Sequence, residues 1–533
     1  MKLLTVPSLC VLWTALAGGL SGATFEVGPG KPYTSIGAVA WESLQPGDTV
    51  LIHWRSTPYK EKWVICRQGS AANPITVRGV AGPSGQRPVI DGNGATTRAS
   101  LNYWNEVRGL LKIGGSNVPP DTTPQYIVIE GLEFRSARPP YTFTAANGTP
   151  QSYVNNAASI YVEKGQHVTI RNCVLNDSGN GLFIGSAASQ PSRDFLIEGN
   201  YIYGNGNAGS AFEHNNYSAA IGIIFQYNRF GPLRSGTSGN NLKDRSAGLV
   251  VRYNWIEGGN RQLDLVDAED STVIVADPSY RTTLVYGNVL IEPSNDGNRQ
   301  MVHYGGDSGT VSDYRKGTLH MYNNTLVSTR TDRTTLLRLS TNQETADFRN
   351  NIVYPTLAGN TVALLDQTGI LLMTHNWFKP GWVSTFGTLE ATILDDGTAV
   401  TGPSPGFVDV AGQDFRLTAG SSAINAGTAL AAAAIPLHAA VRQYVKHQSS
   451  ESRPNNAALD IGAYEFSSAA VSQCDLNNDS IVNVADVQSL VNLVLGLSTA
   501  GPGVGDLNHD GSLNIVDVQA LVNTVVGAGT CPP

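Results

Sequence analysis

Long apolar runs are missing from this chain once its first two dozen residues are passed. No later stretch approaches eighteen consecutive apolar residues, so no membrane span is expected in the mature chain. Basic character is scarce too. The formal charge of the 533 residues is −8, and six aspartates near the C-terminus (Asp475, Asp479, Asp486, Asp506, Asp510 and Asp517), with no Lys or Arg nearby, supply −6 of it. The remainder is close to neutral, which argues against nucleic-acid binding. Apolar residues at helical spacing are absent from the long middle of the chain, which excludes leucine-rich and helical solenoids there. Cysteine is sparse, five in all.

Residues 1–23 carry Lys2, an apolar run from Leu9 to Leu16 and the small residues Ser21-Gly22-Ala23. This is the pattern of a secretory signal cleaved after Ala23, so a secreted or cell-surface-associated protein is expected. Cys10 leaves with the signal. Cys66, Cys173, Cys474 and Cys531 remain, an even number in an oxidising compartment. Cys474 and Cys531 bracket the acidic tail and would clasp its ends if bonded. Cys66 and Cys173 are equally readable as buried thiols.

What is present, over residues 24–467, is a repeat. A short β-rich run followed by Asn-x-apolar recurs at Asn172, Asn200, Asn228, Asn254, Asn288, Asn324, Asn351 and Asn376, with first intervals of 28, 28 and 26 residues. Periods of this size mean stacked units, each burying its apolar face on its neighbours. The flanking segments Val168–Ile170, Ile223–Phe225 and Leu249–Val251 are β-branched or aromatic and strand-length. The expected fold is an all-β, right-handed parallel β-helix (a solenoid) with a small α-helical calcium-binding C-terminal domain. The repeated asparagines are read as a hydrogen-bonded ladder inside the coil corners, not as catalytic groups. Tyr33–Ala40 reads as a helix capping the open end before a first strand at Thr49–Ile52. Asp414–Leu417, Ser422–Gly427 and Asp460–Tyr464 look like the closing segment of many secreted bacterial β-helix proteins, and 468–473 reads as a linker.

The tail holds two copies of one acidic loop. Oxygen side chains fall at loop positions 1, 3, 5, 9 and 12, namely Asp475, Asn477, Asp479, Asn483, Asp486 and then Asp506, Asn508, Asp510, Asn514, Asp517. That spacing wraps a twelve-residue loop around Ca²⁺, a hard cation that needs six to eight oxygens. Each loop runs into an apolar helix-period segment, with Leu490/Leu494 and Leu521/Val525 at i, i+4. Residues 474–533 resemble the dockerin modules of bacterial polysaccharide-degrading proteins. The resemblance implies two bound Ca²⁺ ions and a cohesin-like protein partner. Two departures are Ser480 at the sixth position of the first loop, where the second has Gly511, and Val484-Ala485 and Ile515-Val516 at positions 10 and 11, where many dockerins carry Ser-Thr.

Functional side chains must lie on the outside of the coils. Counted from the repeat asparagines, His214 is 14 residues on, Lys243 15, Asp267 13 and His303 15, which predicts one column on four successive coils. Tyr217, Arg245, Arg252, Asp264, Glu269 and Asp270 lie around it in the sequence. Basic, aromatic and acidic groups on one face suggest a groove for an acidic glycan. The segment from His214 through Asn240-Asn-Leu-Lys243-Asp-Arg245 to Leu263-Asp264-Leu265 resembles secreted β-helix proteins related to polysaccharide lyases. Its Asn-Leu-Lys portion is similar to the lysine-bearing strand of chondroitinase B-like and alginate lyases. The resemblance implies a polysaccharide substrate and a lysine, here Lys243, that removes the proton α to a uronate carboxylate. The family's assisting arginine has no match, because Leu265-Val-Asp267 stands in its place. Lys243, Arg245 and His214 are therefore the expected catalytic residues, and Tyr217, Arg252, Asp264 and Asp267 the expected substrate contacts. Asp264, Asp267 and Glu269 could hold a further Ca²⁺ bridging to the substrate. Lys243, taken as an exposed side chain, is expected to contribute little to folding. A glycoside hydrolase using Asp264 and Asp267, and a non-catalytic carbohydrate-binding or scaffold protein, are the alternatives.

Overall fold

The computed structural model describes residues 22–531 apart from 295, 358–361, 455–457, 468–472, 478–480 and 499–503. Residues 1–21 of the expected signal, nearly all of the linker and the loop residues Asp479 and Ser480 lie outside the described residues. Two compact units result, one running to residue 465 without 418–420, the other comprising 418–420 and residues from 466.

The first unit is a parallel β-helix with three faces, of 13, 11 and 14 strands among the described residues. From Gln166 to Thr385 each coil contributes one strand to each face, so the Arg193–Glu198 strand pairs only with the strands of the coils before and after it. Short β-branched and aromatic strands suit this arrangement because alternate side chains turn inward. Ile197, Phe225, Val251, Val285 and Met321, register partners along the first face, are all fully buried in one continuous core.

The asparagine ladder lies where the chain turns from the first face to the second. Asn200 donates from both its backbone N and its Nδ2 to Oδ1 of Asn228, at 2.9 and 3.0 Å. The same pattern runs through Asn254, Asn288, Asn324 and Asn351 to Asn376. Asn172 is not a rung: Cys173 takes that position, its N donating to Asn200 Oδ1 at 2.9 Å. Asn172 instead fills the left-handed corner place just before it, with φ +50°, which Gly199, Tyr227 and Tyr253 fill on the next coils. Asparagine tolerates that conformation and glycine adopts it freely. A second ladder, Asn205–Asn215–Asn241, braces the turn into the third face with contacts of 2.9 and 2.8 Å.

Three expectations are corrected here. The N-terminal segment is not an α-helix; only Ile36–Ala38 makes one 3₁₀ turn, and a strand at Thr24–Val27 precedes Thr49–His53 and pairs with it. The cap is aromatic: Trp41 stacks on Trp63 at 5.4 Å, both fully buried. The late segment does not simply close the far end. Thr428 bonds Asn350, Tyr322 OH donates to His438 O, and Gln448 Nε2 reaches Gly199 O. The chain then returns, so that Ala463 N donates to Thr325 Oγ1. It is a strap over the outside of the first ladder, and Trp255 packs between Phe415 and Tyr444 beneath it.

Among its described residues the second unit has two helices, Val484–Val494 and Ile515–Val525, each opened by an asparagine capping box. Leu490, Leu507, Val518 and Leu521 form its core with Cys474, which is disulfide-bonded to Cys531. Cys66 and Cys173 are free and buried. Among the described residues no helix is long and apolar enough to cross a membrane.

Candidate active site

Strands of the third face alternate inward apolar with outward residues. Tyr161, Phe183, Tyr217, Lys243, Asp264, His303 and Arg338 are register partners on consecutive strands, so they form one outward column. This corrects the expected column: Lys243 and His303 belong to it, but Tyr217 and Asp264 stand where His214 and Asp267 were placed. Unequal loops on successive coils shift the count made from the corner asparagines by three residues at both places, and an odd shift reverses the side of the strand.

The column begins aromatic. Phe183 and Tyr217 stack at 5.0 Å with rings 4° from parallel, Tyr161 follows at 5.3 Å from Phe183, and the Arg108 guanidinium lies 4.7 Å over Tyr161. Beyond Tyr217 the column turns ionic. Lys243 Nζ lies 2.7 Å from Asp264 Oδ2 and also bonds Asp307. Asp264 takes a further 2.6 Å bond from Asn240 Nδ2, and its other oxygen lies 2.8 Å from His303 Nδ1. Burial pushes the Asp264 carboxyl up, but Lys243, His303 and Arg261 together hold it well below the usual range. Lys243 is only 6% exposed, not the exposed side chain expected, and both its Nζ partners are carboxylates.

Arg245 sits at the end of the same strand. Its Nε donates to Tyr217 OH at 2.8 Å, and its guanidinium pairs with Asp307 at 3.0 Å and Glu269 at 2.7 Å. Asp267 is fully buried behind this group. Its Oδ1 accepts the backbone N–H of Asp307 and Ser308 at 2.8 and 3.3 Å, so it holds the loop that presents Asp307. Arg315, also fully buried, pins the base of that loop through Val266 O and Ser246 O at 3.0 and 2.7 Å. Burial raises the Tyr217 phenol to about 12 and raises the Glu269 carboxyl, helped by Asp307. Asp307 is lowered despite its own burial, because Lys243 and Arg245 face it.

Lys243, Arg245, Tyr217, Asp264 and Asp267 are thus brought together. His214 is adjacent: its ring lies 6.0 Å from Tyr217, and its Nδ1 accepts the Asn240 N–H at 2.9 Å. Burial takes it down to about 3, so it is a neutral bracing group at ordinary pH. Arg252 is not in the cluster. It lies on the first face, where it bonds Gln226 and Tyr286 near the strap, because its strand feeds a different side of the coil. Asp307 was missed in the sequence; its only signal is the run Gly305-Gly-Asp-Ser-Gly309 directly after the His303 strand.

The donors expected for a groove Ca²⁺ do not fit one. Asp264 is taken by Lys243 and His303, and one Glu269 oxygen by Arg245, while Asp267 Oδ2 is buried without a hydrogen-bond partner. Among the described residues no three His, Cys, Asp or Glu side chains converge on a metal position. In the tail, both position-12 carboxylates close their loops. Asp486 accepts from the amides of Leu476, Asn477 and Asn483, and Asp517 from those of Leu507, Asn508 and Asn514. In the second loop Asp506 accepts from Asp510 N and Gly511 N, and Gly511 turns at φ +82°. The donor set there is all oxygen, as a hard cation requires.

A family model described as a right-handed β-helix region matches residues 151–298, the stretch that carries most of this column. No curated protein matches the sequence. Among solved structures, pectate lyase Pel9A is 16% identical, with 84% of this chain and 97% of that chain covered at a TM-score of 0.46. An alginate lyase from Paenibacillus sp. str. FPU-7 is 14% identical, with 61% and 93% covered at 0.40. A GH136 lacto-N-biosidase from Eubacterium ramulus is 12% identical, with 71% and 68% covered at 0.38. These likenesses concern the coil architecture and carry nothing about the chemistry.

Proposed function

We propose that this is an exported, polysaccharide-active protein whose third face cleaves a uronate-containing glycan by β-elimination. One observation carries the reading: Lys243 and Arg245 already share a carboxylate, that of Asp307. Asp307 is on a loop and one-third exposed, so it can give way to a substrate carboxylate, which then pairs with the Arg245 guanidinium. Neutralising that carboxylate acidifies the hydrogen α to it. Lys243, whose own proton leaves with the displaced Asp307 carboxyl, is then a free amine and is the group assigned to remove that proton. Tyr217, which burial keeps protonated at neutral pH, is placed beside Arg245 to protonate the departing oxygen. The stacked Phe183 and Tyr217 rings offer the sugar a flat apolar floor.

A hydrolase reading rests on a different observation. Glu269 and Asp307 flank Arg245, and their acidities are pushed apart, Glu269 up and Asp307 down, as an acid and a base require. One assay separates the two. Purified protein is incubated with pectate, alginate and chondroitin and read in the ultraviolet band of unsaturated uronates. New absorbance, abolished by Arg245→Ala, supports elimination; reducing ends without absorbance assign hydrolysis.

The tail belongs to the same proposal as a dockerin-like module for a cohesin-like partner. Asp475, Asn477, Asp479, Asn483 and Asp486, and Asp506, Asn508, Asp510, Asn514 and Asp517, would hold one Ca²⁺ per loop. The ion would neutralise carboxylates that otherwise repel one another.

A further inference from the structure

Three strands along the column from Lys243, the third face opens into a cationic pocket that the proposed reaction does not use. Its volume is about 340 Å³, and it is lined by Arg261, Arg299, Arg330 and Arg338 with Gln300 and Asp332 among their neighbours. The charges do not cancel. Arg330 is answered by Asp332 at 2.7 Å and Glu292 at 2.8 Å. Arg261 leans on Gln300 Oε1 at 2.7 Å and reaches Asp264 only at 3.5 Å, a carboxylate already shared with Lys243 and His303. Arg299 lies 3.6 Å over the Phe386 ring, which fixes its plane without neutralising it. The Arg338 guanidinium has no ion pair or hydrogen bond among the described residues, although it stands directly beside His303 in the column. Burial, together with the nearby Arg338 cation, lowers Arg261 against the pull of Asp264.

We infer that this pocket binds a second anionic group of the glycan, a carboxylate or a sulfate ester, through Arg299, Arg338 and Arg261. The inference rests on the reading of the column as a glycan groove. Guanidinium forks match both oxyanions, and the strand spacing of ~4.8 Å puts Arg338 about 14 Å from Lys243 along the coil axis. The enzyme then holds its polymer at two charged points, with the cleavage site at one of them and the aromatic floor on its far side.

The test measures binding of the full-length protein to polygalacturonate, to chondroitin sulfate and to a neutral xylan, with no demand for turnover. Wild-type protein should bind one or both polyanions in a salt-sensitive way and xylan weakly. If only the sulfated polymer binds, the anion is a sulfate; if polygalacturonate binds as well, a carboxylate suffices. Arg299→Ala/Arg338→Ala should weaken polyanion binding about tenfold or more, the loss expected of charge-assisted hydrogen bonds. Asp332→Asn, which removes a rim carboxylate, should tighten it and guards against a misfolded double variant. Unchanged affinity in both variants, or equal binding of xylan, overturns the pocket. Weakened binding in a protein that yields no unsaturated product from any polymer instead removes the lyase reading and leaves the pocket standing.

Discussion

Lys243 Nζ stands 2.7 Å from Asp264 Oδ2, and the two side chains are only 7% and 2% exposed. An ion pair so far from water is expensive to break from one side. Removing Lys243 leaves a buried carboxylate short of a partner, which typically costs about 3 kcal/mol or more, whereas removing both charges is far milder. Lys243→Met should therefore lower the denaturant midpoint clearly, and Lys243→Met/Asp264→Asn should recover much of the loss. If the single variant is as stable as wild type, the pair is not structural. Lost activity in Lys243→Met alone is for this reason no proof of a base, and turnover must be compared in the stabilised double variant and in Arg245→Ala.

The asparagine ladder makes a sharper stability prediction. Asn254 Oδ1 accepts both the backbone N–H and the Nδ2 of Asn228, and its Nδ2 donates to Phe225 O. Asn254→Ala orphans buried groups on two coils and should cost about 2–4 kcal/mol. Asn172→Gly, at an exposed corner with φ +50°, should change stability by less than about 0.5 kcal/mol. Similar losses at both sites would mean that Asn172 is a rung after all.

Acid should destabilise the first unit through His214. Its folded value, about 3, lies below the ordinary imidazole value near 6.5. Between those limits the unfolded chain binds more protons, so stability rises with pH there. The contribution is complete above about pH 6.5 and is lost as pH falls toward 3, by up to about 1.4 kcal/mol per pH unit. His214→Gln keeps an acceptor for the Asn240 N–H and cannot titrate. Its melting temperature should fall less steeply than wild type between pH 6.5 and 4; parallel curves would show that His214 is not the acid-sensitive group.

The coil itself was plain in the sequence because it depends on local signals: a fixed period, strand-length β-branched runs and an asparagine at each corner. The site was only half legible. Lys243, Arg245 and Asp264 sit in and beside short strands whose alternation can be read from Leu242-Lys-Asp and Leu263-Asp-Leu. Asp307 and the role of Asp267 could not be read, since they depend on how the loop after Tyr304 folds back across two coils. Arg252 was misplaced for a related reason: alternation says whether a residue points outward, but not from which of three faces.

The tail should respond to calcium independently of the glycan chemistry. Asp506, Asn508 and Asp510 crowd one loop, with Asn508 Nδ2 bonded to Asp510 Oδ2 at 2.9 Å, and no Lys or Arg lies within residues 474–531 to offset the acidic groups. The Cys474–Cys531 bond ties the ends of the module but leaves both loops to close on their own amides. In the full-length protein, calcium should protect residues 474–531 from protease, and a chelator should expose them while the coil remains intact. Asp506→Ala/Asp510→Ala should shift protection to higher calcium, because it removes two of the five side-chain oxygen ligands expected in that loop. Reducing the disulfide should raise the calcium requirement further without abolishing the response. Protease patterns that are the same with calcium and with chelator would remove the metal from the description of this module and, with it, the dockerin-like reading of the tail.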